Sequence, residues 1–406
     1  MVLVTLGLLR GRTSHRAPHP STISRWAFKV GLHKLQTAPK KHSGWTAIVD
    51  LSIHVGSKRV LCLLRAEQAR IDEGRPLTLA DVEVVGLHVL ERNTAEELRK
   101  LLEGDLLRVG FPDGIVTDGG SDIVLAVRSL NESLGTRIVH IEDISHLCAR
   151  LLRKELGEEK QQLEAFSKEL GSCAAQVRQT DLAYLAPPAM RTKARFMNLS
   201  KVATWASRVL CLLAEVRQGR VASKVLRSRR LFGWLRGFAP LVDKILICTT
   251  VLERVQRIVK HQGLCARSAL EIKIEIATLG RASLIAKRLR GWVDRHLAFA
   301  SRLGRPVLAT SDIIESLFGR WKAVIGYHRS AELTTSVLLL PALCGALTPE
   351  LVQEALRTIK VADLEAWKHR EIGTTLRTKR TILRLVRPQR KRGVQKTAGN
   401  PFLSSA

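Results

Sequence analysis

Ile115-Val116-Thr117-Asp118-Gly119-Gly120-Ser121-Asp122 is the stretch on which the fold turns. An apolar strand leaves the core and delivers a carboxylate at its carboxyl end, and a glycine pair then turns the chain into a helix. Open α/β sheets place their chemistry at such strand ends. On the upstream side, Pro112-Asp113-Gly114 turns into this strand. Before it a helix is predicted over Thr94 to Val109, with Thr94 and Glu97 at capping-box spacing and Leu98, Leu101, Leu102 and Leu106 on its apolar face. Trp45 to His54 alternates and is β-branched, hence a first strand. Val55-Gly56-Ser57-Lys58 reads as a hairpin turn, Arg59 to Arg65 as the returning strand, residues 67–82 as a polar loop, and Val82 to Leu90 as a third strand. Downstream come a helix from Asp122 to Leu134 and a fifth strand, Arg137 to Ile141.

Beyond Glu142 the pattern is helical to about Leu303, broken at Pro187-Pro188, and Gly304-Arg305-Pro306 ends the block. A helix then starts at Thr310-Ser311, where Ile314, Leu317, Phe318 and Trp321 share one buried face, with Glu315 flanking it and Lys322 two turns beyond Glu315. Residues 331–358 read as further helices and 374–395 as a basic tail. At the other end, Ser21 to Leu32 is a short helix with Ile23, Trp26 and Val30 on one face, Arg25 and Lys29 on another, and Gly31 as its stop. It reads equally as the second helix of a helix-turn-helix or as an ordinary amphipathic helix. The start of the chain reads as truncated for a full module of that kind.

The chain has 406 residues, enough for two or three domains, and 45% of them are hydrophobic, which excludes wholesale disorder. Sixty-six Lys and Arg against 37 Asp and Glu leave a net charge of +29, which points to a polyanionic partner, most simply nucleic acid. Seven cysteines with no CxxC spacing argue against a zinc site or a disulfide scaffold and for a reducing cytosol. Met1 to Leu9 lacks the charged start and small-residue cleavage site of a signal peptide, and no stretch has the length and apolarity of a membrane span.

Asp50 interrupts the apolar run Ala47-Ile48-Val49 and Leu51. A charge mid-sheet costs several kcal/mol unless it is paired or metal-bound. Asp118 alone could be a helix-start cap, Glu315 alone a surface residue, and Asp122 a first-turn partner of the helix dipole or the substitute for Asp118. Taken together, three carboxylates converging on one sheet edge make an oxygen-ligand site for Mg²⁺.

The order of elements resembles the ribonuclease-H-like fold: a mixed five-stranded sheet flanked by helices, here interrupted by a large all-α insertion. The spread Asp50, Asp118 and Glu315, with a helical stretch before the glutamate, resembles the DDE transposases of bacterial insertion sequences. Asp143-Ile-Ser-His146 after the fifth strand is similar to the C/D-x-x-H signature of Mutator-like and hAT-like transposases. Arg195-Phe-Met-Asn-Leu199 with Trp205-Ala206, and Thr310 to Lys322, are further likenesses to bacterial transposase-like proteins.

The resemblance, over about residues 20–350, implies a polynucleotidyl transferase with two Mg²⁺ ions, Mn²⁺ being an expected substitute, held by Asp50, Asp118 and Glu315. His146 would stand near the scissile phosphate with Asp143 supporting it. Arg25, Lys29, Arg150, Arg153, Lys154 and Lys322 would hold DNA phosphates. Trp205, Trp234 and Trp292 are candidates for stacking a flipped base, against the plainer reading of each as core.

The implied partners are double-stranded DNA, as element ends and as target, and a second copy in a homodimer or higher oligomer. No membrane is implied, and the expected location is the bacterial cytoplasm at the nucleoid. The domain division expected is 1–41 (basic segment with a partial helix-turn-helix), 42–146 (first part of the core), 147–305 (all-α insertion), 306–372 (second part of the core and C-terminal helices) and 373–406 (basic tail). A catalytically inactive or domesticated DNA-binding descendant, and a nuclease of the same fold, are the competing readings.

Overall fold

The computed structural model describes residues 18–41, 43–55, 58–189, 199–218, 230–280, 283–326, 333–374 and 376–385. It is an α/β protein with a five-stranded mixed sheet flanked by helices. The strands are β1 (Trp45–Val55), β2 (Lys58–Glu67), β3 (Val82–Leu90), β4 (Gly114–Thr117) and β5 (Val139–Glu142), in the order β3-β2-β1-β4-β5. β2 runs antiparallel to both neighbours, while β4 and β5 run parallel to β1. The strands expected from alternation are all present. The loop expected over 67–82 instead carries a helical turn at Gln68–Asp72 and another at Leu79–Asp81. The first is held by the Gln68 amide, which donates to Asp72 Oδ1 at 2.7 Å and to the Pro306 carbonyl at 2.9 Å.

The longer helices are α1 (Pro20–Thr37), α2 (Ala95–Val109), α3 (Ser121–Leu134), α4 (Ile144–Glu155), α5 (Lys160–Val177), α6 (Leu199–Arg217), α7 (Ala239–Gln262), α8 (Ala266–Ala277), α9 (Leu284–Leu303), α10 (Asp312–Ile325), α11 (Pro349–Thr358), α12 (Val361–Glu371) and α13 (Leu376–Leu385). α2 starts where Thr94 Oγ1 accepts from the Glu97 amide, as its capping spacing predicts.

Alternation along β1 divides the core. Trp45, Ala47 and Val49 face α2 and α3, against Leu98, Leu102, Ile123 and Val127. Ile48 faces the other way, into one continuous apolar core with Ile144 and Leu147 of α4, Ile314 and Leu317 of α10, and the helices between them. Each such buried aliphatic side chain contributes about 1.5–3 kcal/mol relative to exposure. Asp50 shares the parity of Ile48 and so projects toward the α4 and α10 side.

One expectation is corrected at the start of the chain. Gly31 does not stop the first helix, which continues to Thr37. A Cβ on Gly31 would sit 1.8 Å from the Leu338 carbonyl oxygen, so glycine is there to let another backbone approach. Trp26 and Val30 pack against Val352 and Ala355 of α11, and Lys29 reaches the Leu356 carbonyl at 3.4 Å. The apolar face of α1 is thus docked on the chain's own C-terminal helices, and Arg25 remains exposed. The basic tail expected from 373 onward is helical over Leu376–Leu385. The Gly56-Ser57 turn, the Arg195-Phe-Met-Asn198 part of one likeness, the 386–406 end of the tail, and residues 1–17 lie outside the described residues. No described helix is long and apolar enough to cross a membrane.

The sheet is clamped to both helical sides by His88 of β3. Its Nε2 lies 2.9 Å from Asp105 Oδ2 of α2, and its Nδ1 3.5 Å from Glu371 Oε2 of α12. Burial disfavours the imidazolium, but the hydrogen bonds to the two carboxylates outweigh it and push the pKa up to about 9. A histidine whose pKa is raised on folding contributes stability that is complete below its unfolded value near 6.5 and is lost as pH rises through 9. The wild-type protein is therefore expected to lose on the order of 2–3 kcal/mol between pH 6.5 and 9.5 that a His88→Gln variant does not lose. Denaturant titrations of the two at matched pH measure this, and parallel pH profiles would exclude the clamp.

Candidate active site

The parallel register of β1 with β4 pairs Ile48 with Val116. Carried two residues on, it sets Asp50 beside Asp118, just past the end of β4. β5 pairs Thr117 with Glu142, and the Asp143 amide donates to the Thr117 carbonyl at 2.9 Å, so Asp143 takes the next place along the same edge. α10 packs across β1 and carries Glu315 in its first turn. Asp50 and Asp118 thus stand side by side at one edge of the sheet, with Glu315 of α10 near enough for its charge to act on Asp50.

Their proximity registers on Asp50. Burial, then the negative charge of Asp118 and, less strongly, that of Glu315, push the Asp50 carboxyl up to about 6, partly offset by a backbone hydrogen bond and by His146. Among the described residues no ion pair neutralises Asp50 or Asp118; Asp118 Oδ1 accepts only from the Gly120 amide, at 2.8 Å. His146 Nε2 lies 3.0 Å from Glu315 Oε1. That contact raises the His146 pKa to about 9 against the effect of burial, with Asp143 and Asp118 adding to it. His146 is therefore cationic at neutral pH.

Asp143 is fully buried and holds this pair from behind. Its Oδ1 caps α4 by accepting from the His146 amide at 2.7 Å. Its Oδ2 accepts from the Ser311 amide at 2.5 Å and the Ser311 hydroxyl at 3.0 Å, at the start of α10. One carboxylate thus sets the first turns of the helices that carry His146 and Glu315. Ser145 adds a second tie, donating to Asp312 Oδ1 at 2.9 Å, and Lys260 pairs with the same Asp312.

Other expected residues are placed differently. Arg150 does not point freely outward: it donates to the Asp118 carbonyl at 2.8 Å and pairs with Glu142. It braces the loop that carries Asp118. Gly119 has φ +78°, and a Cβ there would meet the Arg150 guanidinium at 3.2 Å, so the glycine serves the turn and this brace. Asp122 is exposed and accepts from Asn93 at 3.2 Å, as a first-turn residue of α3. Arg153 and Lys154 are exposed on the last turn of α4, and Lys322 is half-buried on α10.

Trp292 is fully buried, donates to the Glu142 carbonyl at 3.1 Å and packs edge-on to His296, so it is core and has no face open to a base. Trp205 donates to the Leu185 carbonyl at 2.9 Å and packs against Phe232, while Trp234 packs against Phe166 and Phe238. Both keep only part of their surface exposed. The brace Arg150–Glu142 and the link from Asp143 to Ser311 were not foreseen.

As the side chains stand, no group of three or more His, Cys, Asp and Glu among the described residues is arranged to hold a metal ion. Glu315 is turned to His146. The donor set itself suits a hard cation: two carboxylates without a counter-charge, one of them largely buried and crowded by its neighbours, with a third within reach of their field. No protein-family model and no curated protein matches the chain.

Proposed function

We propose that the chain is a DDE transposase, a metal-dependent polynucleotidyl transferase acting on duplex DNA. The observation that carries this reading is the parallel register that sets Asp50 beside Asp118, with the Glu315 charge also acting on Asp50. The strand order β3-β2-β1-β4-β5, with β2 antiparallel, supports a ribonuclease-H-like core. The helices between β5 and α10 support an all-α insertion ahead of the third carboxylate. The +29 charge supports a nucleic-acid substrate.

Asp50, Asp118 and Glu315 would hold Mg²⁺, which when bound activates an attacking hydroxyl and stabilises the leaving oxygen of an in-line displacement. His146 offers an N–H that now meets Glu315 and that suits an anionic phosphate oxygen equally well. Arg150 keeps the Asp118 loop in place by holding its carbonyl. Asp143 fixes the angle at which α4 and α10 present His146 and Glu315.

The test is supercoiled plasmid incubated with the full chain and Mg²⁺ or Mn²⁺. Nicked circles and joined products, absent when EDTA is added, are expected. The engagement of Glu315 by His146 favours one alternative, a transposase-derived protein that binds DNA without cutting it. Plasmid that is shifted on a gel but stays supercoiled in both metals would establish that alternative.

A further inference from the structure

On α9, Arg288, Arg295 and Arg302 recur every seven residues and are all exposed. Seven residues are nearly two turns, so the three guanidinium groups form a line on one face, about 10 Å apart and about 21 Å from end to end. Between them on that face stand Gly291, with open space around its Cα, and Ala298, both exposed. The face is therefore low between its charges. Trp292 and Phe299, both buried, flank the line on α9, with the Arg302 guanidinium 5.8 Å from the centre of the Phe299 ring, and Val293 is buried further round, which makes the line rigid.

Little neutralises these charges. Among the described residues no ion pair engages Arg288 or Arg302, and Arg295 is 4.0 Å from Glu142 with most of its side chain in solvent. Asp294, the nearest acidic residue of the helix, pairs with Lys273 at 2.8 Å. The line also has a direction. Trp292 fastens α9 to the Glu142 carbonyl, Glu142 pairs with Arg150, and Arg150 holds the Asp118 carbonyl. The middle arginine is thus linked to the Asp118 loop through Glu142 and Arg150.

We propose that this face of α9 is a rail for the phosphate backbone of double-stranded DNA, leading the duplex to the Asp118 edge. The proposal rests on the functional reading above for its end point, and on α9 alone for its surface. A rigid line about 21 Å long spans over half a turn of duplex and suits a stiff partner. No aromatic side chain is exposed on this face, so the base stacking that single-strand binders use is missing.

The experiment is fluorescence anisotropy of the full chain with a 30-base-pair duplex (a length chosen at about three helical turns) and with one strand of it, in EDTA, across a range of KCl. The variant is Arg288→Gln/Arg295→Gln/Arg302→Gln. Its control loses the same charge from the far side of the sheet, as Arg92→Gln/Lys100→Gln/Arg128→Gln. Glutamine keeps helix propensity, and circular dichroism checks that both fold.

The rail variant is expected to bind the duplex roughly 10- to 100-fold more weakly and to lose about 2.7 from the slope of log Kd against log salt, at about 0.9 per phosphate contact. The control should change the slope by less than one contact. An unchanged slope in the rail variant, an equal change in the control, or an equal loss for the single strand overturns the rail. Because no chemistry is required, a chain that binds this way but never nicks plasmid removes the catalytic reading and leaves the rail standing.

Discussion

An Asp118→Asn chain is expected to nick plasmid about 10³-fold more slowly than wild type or worse, while binding duplex DNA as tightly or slightly more tightly. The loss corresponds to roughly 4 kcal/mol of transition-state stabilisation, within what metal coordination supplies. Binding survives because the residue contributes negative charge and no phosphate contact. Asp50→Asn should lose activity equally and gain stability. Its carboxyl sits at about 6 because burial and the charge of Asp118 oppose ionisation. An acid whose pKa is raised on folding costs stability that grows as pH rises above its unfolded pKa and is complete above the folded one. At pH 7 without metal, Asp50→Asn is therefore expected to be more stable by roughly 1–3 kcal/mol. Millimolar Mg²⁺ should raise the melting temperature of wild type and leave that of Asp50→Asn unmoved, a readout independent of turnover. Single substitutions at Asp50, Asp118 and Glu315 that retain full nicking would remove the substituted residue from the site.

The sheet was legible because its signals are local. Alternation in β1, β2 and β3, the Thr94 cap and the apolar run into Asp118 each specify an element without reference to distant sequence. The adjacency of Asp50 and Asp118 follows once β1 and β4 are taken as parallel neighbours, since both stand two residues beyond the paired Ile48 and Val116. What was not legible depends on partners far along the chain. Gly31 reads as a helix stop until Leu338 is seen against it. Gln68 reads as loop until its amide finds Pro306. Arg150 reads as a phosphate ligand, but a guanidinium takes the nearest fixed acceptors, and here these are the Asp118 carbonyl and Glu142. The period of Arg288, Arg295 and Arg302 was present in the sequence, yet only the packing of Trp292 shows which face of α9 is outward.

The approach of Glu315 to His146 across 169 residues belongs to the same class. The Asp-x-x-His spacing places Asp143 and His146 on one helical start, but says nothing of what lies opposite. The partner is decided by where α10 begins, and α10 begins where Asp143 holds Ser311. The residue that sequence reading assigned to supporting His146 therefore also locates the glutamate.

Asp143→Ala is accordingly expected to damage both stability and chemistry. It strips a hydrogen-bond acceptor from the His146 amide, the Ser311 amide and the Ser311 hydroxyl, in a fully buried position. Burial raises the pKa of this carboxyl, with the two amide hydrogen bonds opposing the shift, so the group is a costly one whose partners have no water to turn to. Leaving such donors unsatisfied costs about 1–3 kcal/mol each, and removing one side of a buried charged arrangement about 3–5 kcal/mol in total. Asp143→Asn keeps the volume and one acceptor and should cost less, about 1–2 kcal/mol. Ser145→Ala cuts only the neighbouring tie to Asp312 and should cost about 1 kcal/mol. Activity separates positioning from mere stability. At a temperature where all three variants are folded, Asp143→Ala should lower kcat with KM for DNA little changed, because His146 and Glu315 shift while the basic surface stays in place. Ser145→Ala, which leaves both helix starts capped, should keep kcat within about a factor of three, the equivalent of under 1 kcal/mol. If Asp143→Ala unfolds no more easily than Ser145→Ala, or keeps its kcat when folded, then the two helices are set by their apolar packing and the buried carboxylate does not position the site.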